Sequence, residues 1–281
     1  MSKYGNDEQP VILMVKVPVY SSNGKSAGET ALPEAFSEEV RADLVARAAI
    51  SDQSEQYQPK GADPLAGLKT SARYRGRKED FGSIKNHGIS MLPREVLAKG
   101  KFGKVRRIPS SVKGRRAFPP QVDKKLTEKV NKKEYAKALR CALAASASHK
   151  HVLARGHKVD SKIALPIVLD ASTESISKTQ EAQKLFMLIG LSSDLARSKI
   201  SRPRSGVGSR KGGVRRAKSL LVVVENTGCP LYRSARNIAG VDVVGVSDLK
   251  VLDLAPGAKA GRLAAYTQSA LEAVQKRLAH Q

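Results

Sequence analysis

Positive charge in this chain is gathered into two stretches, and the longer one has no repeat that could fold it. Residues Lys60 to Pro119 hold 16 Lys and Arg against four acids, Asp63, Glu79, Asp80 and Glu95, a surplus of 12. Residues Lys199 to Lys218 hold eight Lys and Arg and no acid. The two windows thus carry 20 of the formal net charge of +24, and the rest of the sequence is nearly balanced. A compact body with that much unbalanced charge repels itself, and a polyanionic partner relieves it, nucleic acid being the commonest. An acidic membrane surface would call for a basic amphipathic helix or a lipid signal, and neither is present.

The apolar residues of the first window, among them Tyr74, Phe81, Ile84, Leu92, Phe102 and Ile108, fit neither a helical nor a strand period. Glycine recurs through it, from Gly61 to Gly114. Structureless loops of this length are rare in compact domains. Ordering one costs roughly 1–2 kcal/mol of backbone entropy per residue, with little apolar area here to offset it. Phosphate contacts would supply the missing stabilisation. A flexible interdomain linker is the competing reading, but linkers rarely mix Arg, Gly and aromatics in this way. In the second window Gly206 and Gly208 are not expected to follow a strand, and no Gly-Lys-Ser/Thr ends the run, so it reads as a basic loop clamping phosphates and not as a nucleotide fingerprint. The candidate RNA contacts are Lys69, Arg73, Arg75, Arg77, Lys85, Arg94, Lys101, Lys104, Arg106, Arg107, Lys113, Arg115 and Arg116 in the first window, and Arg202, Arg204, Arg210, Lys211, Arg215 and Arg216 in the second. His87 is a candidate for stacking on a base.

No apolar run is long enough for a transmembrane helix, and Met1 to Pro10 is too polar for a secretory signal. Cys141 and Cys229 lack CxxC spacing and read as free thiols of a reducing compartment, Cys141 as a small core residue. Aromatics are 4% of the chain and Trp is absent, which argues against RNA-binding modules built on aromatic platforms.

Outside the windows the pattern is α/β. Val11 to Val17, Leu165 to Leu169, Leu220 to Val224, Asp242 to Val246 and Leu263 to Tyr266 read as strands, and Asn23-Gly24 as a hairpin turn. Ser37 is expected to cap a helix with Val40, Leu44 and Ala48 on its inner face. Asn131 with Glu134, and Ser177 with Gln180, are spaced as capping boxes. Tyr135, Leu139, Ala142 and Leu143 then line one helix, Ala182, Leu185 and Ile189 a second that stops at Gly190, and Leu271, Val274 and Leu278 a third. The alternation predicts a mostly parallel sheet with helices on both faces, plus the long basic extended loop. The expected division is 1–59 as the first part of the body, 60–120 as the loop, and 121–281 as the main body with the second basic loop at 199–218.

Catalytic constellations are not evident. His149, His151 and His157 lack metal-ligating neighbours and read as surface or RNA-facing groups. Asp170, Asp242 and Asp253 stand at strand or loop ends and read as caps and solubilising groups. No nucleophile elbow or GxGxxG follows a strand, so no enzymatic activity, cofactor or metal is expected. An RNA-modifying enzyme on an α/β sheet, or a free RNA-binding regulator, are the alternatives. The regulator would want a recognition helix bearing its basic residues, and here they lie in expected loops.

Taken in order, a series of segments resembles the large-subunit ribosomal protein L-four family in its archaeal and eukaryotic form. Asp63-Pro-Leu-Ala-Gly-Leu-Lys-Thr-Ser-Ala72 is similar to the start of that family's extended loop, and Val112-Lys-Gly-Arg-Arg-Ala-Phe-Pro-Pro120 to its end. Ala138 to Ala147, Val152-Leu-Ala-Arg-Gly-His157, Lys178-Thr-Gln180, Ser234 to Val243, Leu254-Ala-Pro-Gly257 and Gly261-Arg-Leu263 continue the likeness. The long basic tail of eukaryotic members is missing, which points to the archaeal type. The resemblance implies a cytoplasmic protein of the large ribosomal subunit whose body binds rRNA. It implies a loop reaching the wall of the nascent-peptide exit tunnel, with neighbouring ribosomal proteins and the nascent peptide as further partners. The loop centre, Arg73 to Gly88, departs from the Gly- and Arg-rich run of many members, leaving Arg75, Arg77 and His87 as candidates for the lumen.

Overall fold

The computed structural model describes residues 16–279. In chain order the elements are β1 (Lys16–Tyr20), β2 (Ser26–Ala31), α1 (Ala42–Glu55), β3 (Arg94–Val96), β4 (Phe102–Val105), α2 (Lys132–Ala147), α3 (His149–Ala154), β5 (Ile167–Leu169), α4 (Thr179–Leu188) and α5 (Ser192–Lys199). They continue with β6 (Ser201–Pro203), α6 (Val207–Arg210), β7 (Val214–Arg216), β8 (Leu221–Val224), α7 (Pro230–Ala235), β9 (Asp242–Gly245), α8 (Val251–Leu254), β10 (Ala264–Thr267) and α9 (Gln268–Ala279). Two compact units result: a body formed by the residues up to Gln56 and from Thr127 onward, and a basic unit, Tyr57–Leu126.

The apolar runs of the body form one six-stranded sheet in the order β2-β1-β5-β10-β8-β9. Every neighbouring pair in it is parallel except β1–β2. Successive side chains leave a strand on opposite faces, so each face needs its own cover. On one face Val168, Leu221, Val223 and Tyr266 pack with Val45 of α1, Leu139 and Leu143 of α2, and Val274 of α9. On the other, Ile167, Leu169, Val222 and Ala265 pack with Leu185 and Phe186 of α4, Leu195 of α5 and Leu231 of α7. Cover on both faces explains why Leu221-Val-Val-Val224 can be apolar at every position. Each such side chain contributes roughly 1.5–3 kcal/mol when fully buried.

Two glycines fix local geometry. The β1–β2 hairpin turns through Ser21–Lys25, where Gly24 has φ +72° and a Cβ would lie 2.6 Å from Cβ of Leu188. Gly190, at φ +100°, ends α4: its N–H donates to the Met187 carbonyl and that of Leu191 to the Phe186 carbonyl, which is a Schellman arrangement.

Several expectations are corrected. The strand expected over Val11 to Val17 is described only from Lys16, and Val11–Val15 lie outside the described residues. Ser37 does not cap α1. It ends a short 3-10 turn, its hydroxyl donating to the Glu34 carbonyl at 2.7 Å, and the helix begins at Ala42 with Val45, Ala48 and Ala49 inward. Neither expected capping box closes: Asn131 stands at the N-cap of α2 without a side-chain bond, and the N-cap of α4 is Lys178. Glu134 instead pairs with Arg47 at 3.5 Å. Cys141 is fully buried, and its thiol donates to the Glu39 carbonyl.

Candidate nucleic-acid interface

The basic unit is held mainly by polar contacts. Arg73 and Arg94 exchange backbone hydrogen bonds, and β3 pairs with β4 in a short antiparallel ladder. Several candidate cations act within it. Arg75 Nη1 donates to the Phe81 carbonyl at 3.2 Å, Arg94 Nη2 to Ser90 Oγ at 3.0 Å and Arg107 Nη1 to the Ala72 carbonyl at 3.2 Å. Arg106 pairs with Glu95 at 2.9 Å, and Lys69 with Asp63. Arg73, Arg77, Lys85, Lys101, Lys104, Lys113, Arg115 and Arg116 are exposed and have no carboxylate partner among the described residues. His87 is exposed, its ring edge-on to Phe102 with centroids 5.5 Å apart.

Apolar burial within this unit is scant: of the buried hydrophobic residues only Ala72 and Ile84 belong to it. Phe81 and Phe118 are 85% and 92% exposed, open faces of the kind on which bases stack. Asn86, Lys99, Arg107 and Lys113 adopt positive φ, a region that favours glycine.

The second basic window is not a loop. It is a hairpin arm in which β6 pairs with β7 and α6 forms the tip, and every residue of both strands is exposed. Gly206 therefore does follow a strand, though a solvent-facing one and not a strand of the central sheet. The sequence hid this because Arg and Gly dominate the segment and no apolar alternation marks the strands. Arg202 stands directly opposite Arg215, and like charges in that position destabilise a strand pair. Arg204 folds back to donate from Nε to the Val214 carbonyl at 3.2 Å. Arg210, Lys211 and Arg216 are exposed, and no carboxylate pairs with the arm's arginines among the described residues.

Groups from outside the two windows meet Lys218 at the root of the arm. His157 is buried, not on the surface, which corrects its expected position. Its Nε2 accepts the Leu263 N–H at 3.3 Å, so Nδ1 carries the proton and donates to Asp194 Oδ2 at 3.1 Å. Asp194 also accepts from Ser219 Oγ at 2.5 Å, Arg197 Nε at 2.8 Å and the Lys158 N–H at 3.1 Å. Burial works against its charge, but the bonds from His157, Arg197 and Ser219 outweigh it and hold the carboxyl well below the usual range. Asp242 is likewise more than a solubilising group: it pairs with the buried Arg262 and with Lys218 at 2.7 Å. Burial again opposes its charge, and Arg262 and Lys218 overcome it, leaving its pKa lowered. Asp253 caps α8, and Asp170 stands at the N-cap of a 3-10 turn. Not singled out as site residues from the sequence were Arg155, which only the fold brings to the arm, and Arg197 and Lys218, which flank it in the chain.

The chain thus combines a helix-covered, mostly parallel sheet with two basic segments, apart from that sheet, whose exposed cations outnumber their acid partners among the described residues. The chain belongs to the Ribosomal protein L4/L1 family, which it matches over residues 30–277. It is 40% identical over 267 residues to "Large ribosomal subunit protein uL4" of Methanococcus vannielii, covering 94% of this chain and 100% of that one. The proteins of the same name from Methanocaldococcus jannaschii and Methanosphaera stadtmanae are 41% and 43% identical, over 94% and 92% of this chain and 99% and 96% of their own lengths. These relatives are archaeal, in keeping with the type to which the sequence points.

Proposed function

We propose that this chain is a structural constituent of the large ribosomal subunit, acting in the cytoplasm by binding large-subunit rRNA. The observation that carries this is the set of exposed arginines and lysines without acid partners, in the basic unit and on the arm, in a chain of this family. Contacts to phosphates fix register and orientation, and arginine suits them because its planar fork makes paired bonds to oxyanions. Function then requires no turnover, and the chain is not an enzyme.

The finer division follows the charge. The body, assigned to 1–59 and 121–281, is the anchor, and 60–120 is an extended basic loop ordered by rRNA. Two buried apolar side chains cannot offset the entropy of ordering so long a segment, which is roughly 1–2 kcal/mol per residue. The loop contacts rRNA through Lys69, Arg73, Arg75, Arg77, Lys85, His87, Arg94, Lys101, Lys104, Arg106, Arg107, Lys113, Arg115 and Arg116. The arm does so through Arg202, Arg204, Arg210, Lys211, Arg215 and Arg216. The loop tip helps to form the wall of the nascent-peptide exit tunnel, beside neighbouring ribosomal proteins and the nascent peptide. The test is sedimentation of cell extract through a high-salt gradient: the chain should stay with large subunits, and its release into the soluble fraction would refute the assignment.

A further inference from the structure

We propose that the cleft at the root of the β6–β7 arm is a phosphate site, in which Arg155 and the arm's own arginines grip one phosphodiester of the bound RNA; this rests on the rRNA-binding function above. The cleft, of about 680 Å³, is lined by Arg155, Arg197, Arg202, Arg215, Arg216 and Lys218, with no acid in its lining. That volume falls within the range of ligand-sized clefts, so it admits a phosphate together with its sugar.

Two of the six cations are already compensated, Arg197 by Asp194 and Lys218 by Asp242, neither of which lines the cleft. The other four have no carboxylate partner among the described residues. Arg155 is the telling one. It is half-buried, and its guanidinium donates to the backbone carbonyls of Pro256, at 2.6 Å, and Lys259. These bonds aim the fork without cancelling its charge. Burial, with Arg262 and Arg197 nearby, lowers its pKa to about 10. A sheltered cation among like charges is unfavourable until an anion arrives. Arg202 and Arg215, paired across the arm, raise the same demand from the other side.

An oxyanion able to accept paired bonds from planar forks answers it, and phosphate is the fitting chemistry. A backbone phosphodiester suits better than a free ion because the cationic surface continues outward along the arm through Arg204 and Arg210. A nucleic-acid strand can follow that track after leaving the cleft.

The test measures binding of the full chain to a deproteinised large-subunit rRNA transcript across a salt series. Arg155→Gln and Arg216→Gln should each reduce the magnitude of the slope of log affinity against log salt by about 0.7–0.9, the loss of one neutralised charge. Phenylglyoxal modification of the wild-type chain, read by mass spectrometry, should find Arg155 protected when RNA is bound. That readout decides the matter even where Arg155→Gln fails to fold. Unchanged slopes in both variants, or an Arg155 equally reactive with and without RNA, would overturn the site while salt-dependent rRNA binding stands. Wild-type binding without salt dependence would instead overturn the rRNA-binding function itself. Inorganic phosphate is the second probe. If it raises the melting temperature of wild type but not of Arg155→Gln, while neither variant alters the RNA slope, the cleft takes free phosphate and the RNA assignment is wrong.

Discussion

Replacing Asp194, in the first turn of α5, by Asn removes one charge and one acceptor from a buried network. The two carboxylate oxygens receive four donors, from His157, Lys158, Arg197 and Ser219. Asn offers one oxygen and an NH2 that itself donates. Ser219 can rotate its hydroxyl to accept, but His157 Nδ1–H then faces a donor, and reversing its tautomer would give up the Leu263 N–H. One unpaired buried donor costs about 1–3 kcal/mol. Arg197 loses its charge partner as well, a loss reduced because its side chain is 22% exposed. Breaking a fully buried pair costs about 3–5 kcal/mol, so Asp194→Asn should cost about 3 kcal/mol in all. In a body of this size that lowers the melting temperature by about 6–12 °C. Urea unfolding followed by far-ultraviolet circular dichroism measures it. The pH signature follows from the lowered pKa of Asp194. A carboxyl depressed on folding stabilises the native state above its unfolded pKa of about 3.9 and loses that contribution as pH falls toward its folded value. The gap between wild type and variant should therefore be full at neutral pH and shrink below about pH 4. A gap under about 1 kcal/mol at neutral pH, or one that stays constant down to about pH 2, would refute the reasoning.

Changing Arg202, Arg204, Arg210, Arg215 and Arg216 together to Ala should flatten the salt dependence of rRNA binding, and an unchanged slope would mean that the arm faces solvent. Limited proteolysis of the free protein should cut first between Arg73 and Arg107, and protection of that stretch without RNA would contradict folding on binding. A chain with Arg75–Arg107 replaced by a short Gly/Ser linker should still fold and enter large subunits, whose exit tunnel should look wider by cryo-electron microscopy; an identical tunnel map would remove the loop from the wall. Asp242→Asn should destabilise the body by a few kcal/mol because Arg262 is buried against it, whereas Asp170→Asn should stay within about 0.5 kcal/mol in the same urea assay.

What the sequence revealed was set by how local its cause is. The β8 run and the stop at Gly190 are written in adjacent residues, and both elements lie where their patterns indicated. The start of α1 was obscured because Ser37, a good cap by composition, serves the preceding 3-10 turn. The arm was obscured because its strands are held by backbone pairing and bear no inward face. His157 looked like a surface residue among Lys and Arg, yet its partners Asp194, Ser219 and Leu263 are distant in the chain and meet it only after the sheet forms. The charge asymmetry of the two windows was plain from counting, whereas Arg155 joined the arm only once the fold brought α3 beside it.

The sheet's spatial order carries a consequence for how the body is made. β10 lies between β5 and β8, yet among the described strands it is the last to be synthesised. Until Ala264–Thr267 emerges, β5 and β8 each present a bare hydrogen-bonding edge where the middle of the sheet will be. Such edges invite pairing with foreign strands. The N-terminal hairpin waits as well, since Val19 pairs with Val168 across the whole inserted basic unit. Closure of the sheet therefore waits for Ala264–Thr267, with α9 following to cover one face, and the interval before that closure is when the nascent chain most needs shielding.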